Sequence, residues 1–313
     1  MKYVIKKLVT MFITVLLVSL FVFLAFSVIP GDPAVAKLGT SATPEKVAAL
    51  REQMGLNRPL LVRYFSWLKD FLFGNMGMSY SYSMSVKQML SEKFPITITL
   101  TILSFVFIMI ISIPVGLYIT EHDGRLISKV IDTINQILMA VPPFFSGMLI
   151  TYVFGLILKL FTPGGFVSYK RDIIGFVLYL VFPAFAIALP KSAMTIRMLK
   201  SSILAEAEHD YVRTAYSRGN TTTSVMYKHV LKNAFIPVIT FLGMTLSDIV
   251  AGSLIVEQVF SIPGLGRLLV TSISNRDYPV VQAIIILIVV IVVVINLLVD
   301  ILYRVIDPRI ENE

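Results

Sequence analysis

The sequence predicts an all-α, polytopic membrane protein with six transmembrane helices. The chain has 313 residues, of which 56% are hydrophobic and only 15% are charged. Its mean hydropathy of +0.83 lies well above the range of soluble proteins. A helix needs about 20 apolar residues to cross a bilayer. Six segments reach that length, at 8–29, 97–120, 131–160, 174–195, 234–257 and 279–303.

The first apolar segment follows the basic stretch MKYVIKK. A cleaved secretory signal has a shorter apolar region that ends at a small-residue cleavage site. The run from Leu8 to Ile29 is longer, and no such site follows it. We therefore expect a retained transmembrane helix.

Prolines interrupt the third segment at Pro142 and Pro143 and the fourth at Pro183 and Pro190. Membrane helices tolerate such breaks where neighbouring groups bond the freed carbonyls. The prolines either bend helices around a pathway or mark irregular packing, and the sequence leaves both interpretations open.

The long segment 30–96 predicts three short amphipathic helices on one side of the membrane. Thr43-Pro44-Glu45 is a helix start, because a hydroxyl caps the backbone and proline suits the first turn. Gly55 ends that helix, and a second runs from Asn57 and Pro59 to Gly74 with apolar residues at helical spacing. A third is expected over VKQMLSEKF, residues 86–94, before Pro95.

Loop charge predicts that both chain ends lie in the cytoplasm. With that orientation, 14 of the 27 Lys and Arg residues lie inside and eight lie in the long segment 30–96. The positive-inside rule applies to short loops, and these give 14 basic residues inside against 5 outside. The net charge of +8 is then explained by anionic lipid head groups, with no need for nucleic acid.

Composition argues against several chemistries. The chain has no cysteine and three histidines, so thiolate metal sites and a Cys nucleophile are impossible. Ser146 could suggest a serine protease, but no histidine falls in a predicted span to act as its base. No GxxxxGK[ST] loop occurs, and Gly264-Leu265-Gly266 is better explained as a turn. We expect no enzyme activity and no ATP hydrolysis by this chain.

The connector 196–233 is polar, although apolar spans flank it on both sides. Leu204, Ala207, Tyr211 and Ala215 recur at helical spacing, and Gly219 suits the end of that helix. A second helix fits 222–233, with Thr222 or Thr223 as its cap. Two short helices meeting at a glycine predict a knob that fits a soluble partner. A plain solvated loop is the alternative, but connections are usually shorter and less patterned.

Polar residues at membrane depth are costly and usually face the interior of a helix bundle. Asp248, Thr245, Ser247 and Asn296 are therefore candidate lining residues of a translocation pathway. Asn135, Gln136 and Asp300 are weaker candidates. Hydrogen bonding between helices is the alternative explanation, together with a location at the membrane interface for Asp300 and Asp132.

The run DYVRTAYSRGNTTTSVMYKHVLKNAFIPVI resembles the cytoplasmic coupling motif of ABC-importer permeases of the dipeptide, oligopeptide and nickel class. That motif typically has the form DYxRTAxxKG followed by HxxRNAxxP. The general importer form begins Glu-Ala-Ala, and this chain departs from it as the peptide class does. Matching residues are Asp210, Tyr211, Arg213, Thr214, Ala215, Gly219, His229, Asn233, Ala234 and Pro237.

Four further stretches resemble the same class in the same order. They are IPGDPA at 29–34, the run from 55 to 80, FSIPGLGRLLVTSISNRDYPVVQ at 260–282 and NLLVDILYRVIDPRI at 296–310. The resemblance implies one permease domain, 1–313, with the type I ABC importer fold in the inner or plasma membrane. It also implies a docking helix at about 206–218 that inserts into a cytoplasmic ATPase. Its coupling residues would be Ala207, Asp210, Tyr211, Arg213, Thr214, Ala215 and Gly219.

The resemblance also implies partners. They are a second, similar permease, two ABC ATPases that bind ATP and Mg²⁺, and an external substrate-binding protein. This chain itself would hold no cofactor and no metal. The solute would be a di- or oligopeptide, with a nickel or metal-chelate importer as the alternative. A stand-alone channel or secondary carrier, which needs no ATPase, is the alternative from another class.

Overall fold

The computed structural model describes residues 2–28 and 32–306, and most of them are helical. The tail residues 307–310 and the start of IPGDPA, 29–31, lie outside the described residues. The α-helices, numbered in chain order, are α1 (Lys2–Val28), α2 (Pro33–Leu38), α3 (Pro44–Gln53), α4 (Leu60–Leu72), α5 (Val86–Glu121), α6 (Leu126–Ala140), α7 (Pro143–Ile150), α8 (Ile173–Ala207), α9 (Asp210–Ser217), α10 (Thr222–Val225), α11 (Leu231–Val259), α12 (Leu265–Ser274) and α13 (Tyr278–Ile306).

Among the described residues, five helical segments are each long and apolar enough to cross a membrane, which confirms the predicted all-α membrane class. They are α1, α5, α8, α13 and the run Thr222–Val259, in which a π-helical segment, Met226–Val230, joins α10 to α11. The third predicted span is broken. α6 and the helical run Pro143–Ile157 meet at a bend of 106°, and counting this pair as one span gives six.

Consecutive prolines explain the bend between α6 and α7. Proline has no N–H to donate, and it disfavours helical geometry in the residue before it. Pro142 accordingly has extended backbone, with ψ 146°, and Pro143 takes the first position of α7. Pro142 therefore separates two helices instead of kinking one.

The other prolines do not interrupt their helices, and here the sequence-based expectation is wrong. α8 continues through Pro183 and Pro190, both of which are buried. α5 continues through Pro95, so residues 86–94 form its first turns and not a separate third helix. Buried residues flank Pro95, with Leu90 and Ile96 each 4% exposed. One missing donor costs less than unpacking such a helix.

The other two short helices of segment 30–96 are confirmed. α3 begins after Thr43, whose hydroxyl accepts the backbone N–H of Lys46 at 3.4 Å. It ends just before Gly55, which adopts a left-handed φ of +66°. α4 follows Pro59 and buries Tyr64 on its apolar face.

The structure divides into two compact units, whose three boundaries fall within α5, between α11 and α12, and within α13. The first unit comprises the described residues up to 97 and 263–293. The second comprises 98–262 and the described residues from 294 onward. That the chain forms one permease domain stays a prediction.

In the first unit, the carboxylate of Asp277 anchors the loop that follows α4. Asp277 is fully buried. Its carboxylate accepts the Ser79 hydroxyl and the backbone N–H groups of Tyr80 at 3.0 Å and Ser81 at 3.2 Å. A buried carboxylate is tolerated only when such donors replace its hydration. Residues 79–81 are thereby held against the turn between α12 and α13.

The second unit is built around α8. α5 packs closely against it at Gly116, where an added Cβ would lie 2.8 Å from the Leu199 side chain of α8. The Tyr179 hydroxyl of α8 donates to the Phe260 carbonyl at 2.8 Å. The Ser202 hydroxyl of α8 donates to the Ala234 carbonyl of α11 at 2.8 Å. α8 is therefore fixed along its length, which matters for the connector that follows it.

We predict that Asp277→Ala lowers the free energy of unfolding by about 2–4 kcal/mol, because three donors lose a charged acceptor. Thermal unfolding of the detergent-solubilised protein measures this, and proteolysis should also increase within residues 75–85. The exposed Glu52→Ala, in the same unit, is the control and should unfold like the native chain. Equal stability of the two variants would show that Asp277 does not anchor the loop.

Candidate functional site

The connector between α8 and α11 begins with a helix break. α8 ends at Ala207, and α9 begins only at Asp210. The backbone N–H groups of Glu208 and His209 bond three residues back at 3.3 Å, and His209 then turns to an extended ψ of 148°. The prediction of one helix over 206–218 is therefore wrong at its start, and Ala207 belongs to α8.

This break also overturns the predicted helical face. Leu204 and Ala207 lie on α8, so they cannot form one stripe with Tyr211 and Ala215 on α9. Ala215 is only 6% exposed and packs inward beside Val212, which is 2% exposed. The spacing rule holds only within a continuous helix, and a break of two residues changes the direction of the chain.

The free surface of α9 is its opposite face. Asp210 and Arg213 have side chains that are 98% and 79% exposed, and their closest N–O distance is a loose 3.9 Å. Thr214 is also exposed, and the ring of Tyr216 is 45% exposed. Of the predicted coupling residues, Asp210, Arg213 and Thr214 therefore face solvent, while Tyr211 and Ala215 face the protein.

A hydrogen-bonded triad, Glu206, Tyr211 and Asn233, joins α8, α9 and α11. The Tyr211 hydroxyl donates to Glu206 Oε1 at 2.6 Å. Asn233 Nδ2 lies 3.1 Å from the same oxygen and 3.2 Å from the Tyr211 hydroxyl. Burial and donation to Glu206 raise the pKa of Tyr211 above its ordinary value, so the phenol remains a neutral donor at physiological pH. The triad fixes α9 to both flanking helices.

Gly219 ends α9 as predicted. Its φ is +82°, a left-handed conformation that L side chains rarely adopt, and its N–H bonds to the Tyr216 carbonyl at 2.9 Å. Asn220 Nδ2 then donates to the Ala215 carbonyl at 3.0 Å. Thr221 caps the next helix, one residue before the expected Thr222, and that helix continues into α11.

Lys200 fixes the end of α8 that precedes the connector. Its Nζ lies 2.7 Å from Asp123, in the turn after α5, and 2.7 Å from Asp132 on α6. The hydrogen bond from Lys200 lowers the pKa of Asp123 below its ordinary value. This charged cluster links the α5–α6 turn to α8.

The predicted pathway residues are arranged in three ways. Thr245 is buried, at 2% exposed. Ser247 donates to Asn296 Oδ1 at 3.0 Å, so these two bond between helices. The Asp248 side chain is 62% exposed and pairs with Lys191 Nζ of α8 at 2.7 Å. The structure therefore offers Asp248 as an accessible charged group, and a role of these four in a pathway stays a prediction.

Sequence reasoning missed Lys191, Lys200 and Glu206 as structural partners. Each is a charged residue in the long apolar helix α8, where an unpaired charge is costly, and this could have predicted that each has a partner. Lys191 pairs with Asp248, 57 residues away, and Lys200 pairs with Asp132, 68 residues away. Glu206 accepts from Tyr211, 5 residues away.

Asp132, Asn135 and Gln136 line a small cavity of about 270 Å³ with Arg197 and Lys200.

Comparisons with known proteins agree on one family. Residues 112–312 match the family described as binding-protein-dependent transport system inner membrane component, and residues 1–101 match the family of its N-terminal part. A protein of Sinorhizobium fredii named "Probable peptide ABC transporter permease protein" is 34% identical over 98% of both chains. The glutathione transport system permease protein of Salmonella choleraesuis is 34% identical over 99% of both chains.

A solved structure supports the fold. A chain of the MetNI methionine ABC transporter, in an inward-facing conformation, superposes with a TM-score of 0.55 at 19% identity. The match covers 70% of this chain and 97% of that one. The likeness shows that this chain shares the fold of that chain over the matched part.

We predict that Tyr211→Phe speeds amide hydrogen exchange in residues 206–219 about fivefold. The substitution removes the hydrogen bond from the Tyr211 hydroxyl to Glu206, which contributes about 1 kcal/mol to the free energy of local opening. Hydrogen exchange followed by mass spectrometry measures this on the purified protein. Tyr216→Phe is the matched control, because it removes an exposed hydroxyl from the same helix. If both variants exchange alike, the triad does not hold α9.

Proposed function

The chain belongs to the binding-protein-dependent transport system inner membrane component family, and from this premise we propose that it is a permease subunit of an ATP-driven ABC importer for di- and oligopeptides. Family membership makes it a multi-pass inner-membrane protein. The solute assignment is supported by the peptide and glutathione permeases to which the chain is similar over nearly its whole length. We also propose that the chain itself catalyses no reaction.

The observation that carries the proposal is the exposed face of α9. A polar helix bonded to α8 and α11 leaves Asp210, Arg213 and Thr214 open to a partner. The sequence contains no phosphate-binding loop, so an ATP-driven importer needs a partner that hydrolyses ATP. We propose that the partner is a cytoplasmic ABC ATPase, and that α9 with the turn at Gly219 inserts into a groove on it.

The triad suggests how the coupling works. Nucleotide binding changes the shape of the ATPases, and it can shift the permease only through contacts that differ between the two states. A displacement of α9 reaches α8 through Glu206 and α11 through Asn233, because Tyr211 bonds to both. Lys200 passes the movement of α8 to the α5–α6 turn. The ATPase would thereby move several spans together.

The remaining partners and the orientation belong to the same proposal. A second permease subunit, two ATPases and an external binding protein would complete the importer. The charge balance of the short loops supports cytoplasmic chain ends, with segment 30–96 outside. Asp248, with Ser247 and Asn296 nearby, would line the pathway, where its exposed carboxylate could meet a peptide ammonium group.

We predict that Gly219→Val reduces ATPase association and uptake at least tenfold. A β-branched residue at φ +82° carries about 1–2 kcal/mol of backbone strain, so the turn after α9 must change shape. Copurification of the ATPases and uptake into proteoliposomes measure the two effects.

Gly164→Val is the matched control, because Gly164 has φ +77° and equally open surroundings but lies outside the connector. It should cost similar stability and leave ATPase association intact. Normal association of Gly219→Val, or equal losses in the two variants, would refute the assigned coupling site.

The solute is tested by uptake with the assembled complex. We expect ATP-dependent uptake of radiolabelled dipeptides and no competition by a nickel chelate. Nickel uptake that peptides do not inhibit would favour the metal-chelate alternative. Uptake that follows an ion gradient without ATPases would instead support a secondary carrier.

A further inference from the structure

The first unit contains a cavity of about 710 Å³ that the proposed coupling does not use. Small-molecule sites in proteins typically occupy about 300–1,000 Å³, so the cavity is large enough for a short peptide. It lies between the end of α1, the helices α3 and α4, the loop after α4 and the start of α13. Its charged lining residues are Asp32, Lys37, Arg51, Arg58, Arg63 and Asp70.

The charges of the cavity are only partly compensated by one another. Arg51 pairs with Asp32 at 2.9 Å, and the two largely cancel. Among residues 2–28 and 32–306, Arg58 and Arg63 form no salt bridge, and neither does Asp70. The guanidinium carbon of Arg63 lies 5.8 Å from the centre of the Phe23 ring. Lys37 forms no salt bridge among these residues either, so the cavity has three uncompensated cations and one uncompensated anion.

Aromatic rings supply much of the remaining wall. The rings of Phe23 and Trp67 are 5.8 Å apart, and those of Phe26 and Tyr278 are 5.3 Å apart. Tyr80 also lines the cavity, and the Asp277 carboxylate fixes its backbone. Burial raises the pKa of Tyr80 to about 12, which leaves its hydroxyl a neutral hydrogen-bond donor.

We infer that this cavity binds a short peptide with free termini. Arg58 and Arg63 hold the terminal carboxylate, Asp70 faces the terminal ammonium group, and the aromatic wall receives the side chains. Guanidinium groups suit carboxylates because two parallel N–H groups can meet the two oxygens. An acidic group in the same lining disfavours a purely anionic ligand such as a phospholipid head group. The inference rests on the proposed function, which places segment 30–96 on the side where peptide arrives.

The experiment measures equilibrium binding to the assembled importer in nanodiscs, without the binding protein and without ATP. The probes are radiolabelled L-alanyl-L-phenylalanine and its C-terminal amide, which lacks the carboxylate. We expect the native complex to bind the free acid at least tenfold more tightly than the amide. The double variant Arg58→Gln/Arg63→Gln should bind both probes equally.

Two variants control for folding and for general charge effects. Lys69→Gln removes an exposed cation from α4 that does not line the cavity, and it should keep the tenfold preference. Arg63→Lys keeps the positive charge but lacks the planar guanidinium group, and it should retain part of the preference for the free acid. Equal binding of acid and amide by the native complex would overturn the inference. So would an acid preference that survives in the double variant, or displacement of the dipeptide by phosphatidylglycerol.

Uptake of the same dipeptide by the complete importer separates this inference from the proposed function. Uptake without acid-selective binding leaves the importer assignment intact and overturns the cavity site. Acid-selective binding without any uptake supports the cavity site and overturns the transport assignment. Failure of both measurements overturns both.

Discussion

The interior of a lipid bilayer offers no hydrogen-bond partner to a backbone N–H or C=O group, so each spanning segment must satisfy its own. This constraint explains why α8 remains helical through Pro183 and Pro190, since each proline removes only one donor from a long ladder. It also explains why two adjacent prolines at Pro142 and Pro143 have a larger effect. There the chain can preserve its hydrogen bonds only by ending one helix and starting another at 106°.

The same constraint separates the polar connector 196–233 from the apolar spans that flank it. The short polar helix α9 is not long enough to span a bilayer, and it packs on its neighbours through the Tyr211 hydrogen bonds. Its inward face packs through Val212, Ala215 and the triad, and its outward face is exposed. The proposed coupling depends on this attachment, because a connector without such bonds would not transmit a displacement to the spans.

Features set by neighbouring residues were predictable from the sequence. The cap at Thr43, the left-handed Gly219 and the length of the spans follow from local rules. The orientation of α9 was not predictable, because it depends on Asn233, which is 22 residues beyond Tyr211. Helical spacing correctly placed Ala215 on a common face with Tyr211, but it could not show that this face points inward or that α8 stops at Ala207. Charged pairs such as Lys191 with Asp248 likewise depend on packing between spans.

The anchoring of residues 79–81 by Asp277 has a consequence for the order in which the protein is assembled. The donors and the carboxylate are separated by 196 to 198 positions. Ribosomes add about 5–20 residues per second, so the loop after α4 waits roughly 10–40 s for its acceptor. The spans α5, α8 and α11 are synthesised during that interval, while the loop after α4 still lacks the Asp277 carboxylate. The turn before α13 can therefore anchor this loop only after α5 to α12 have been synthesised.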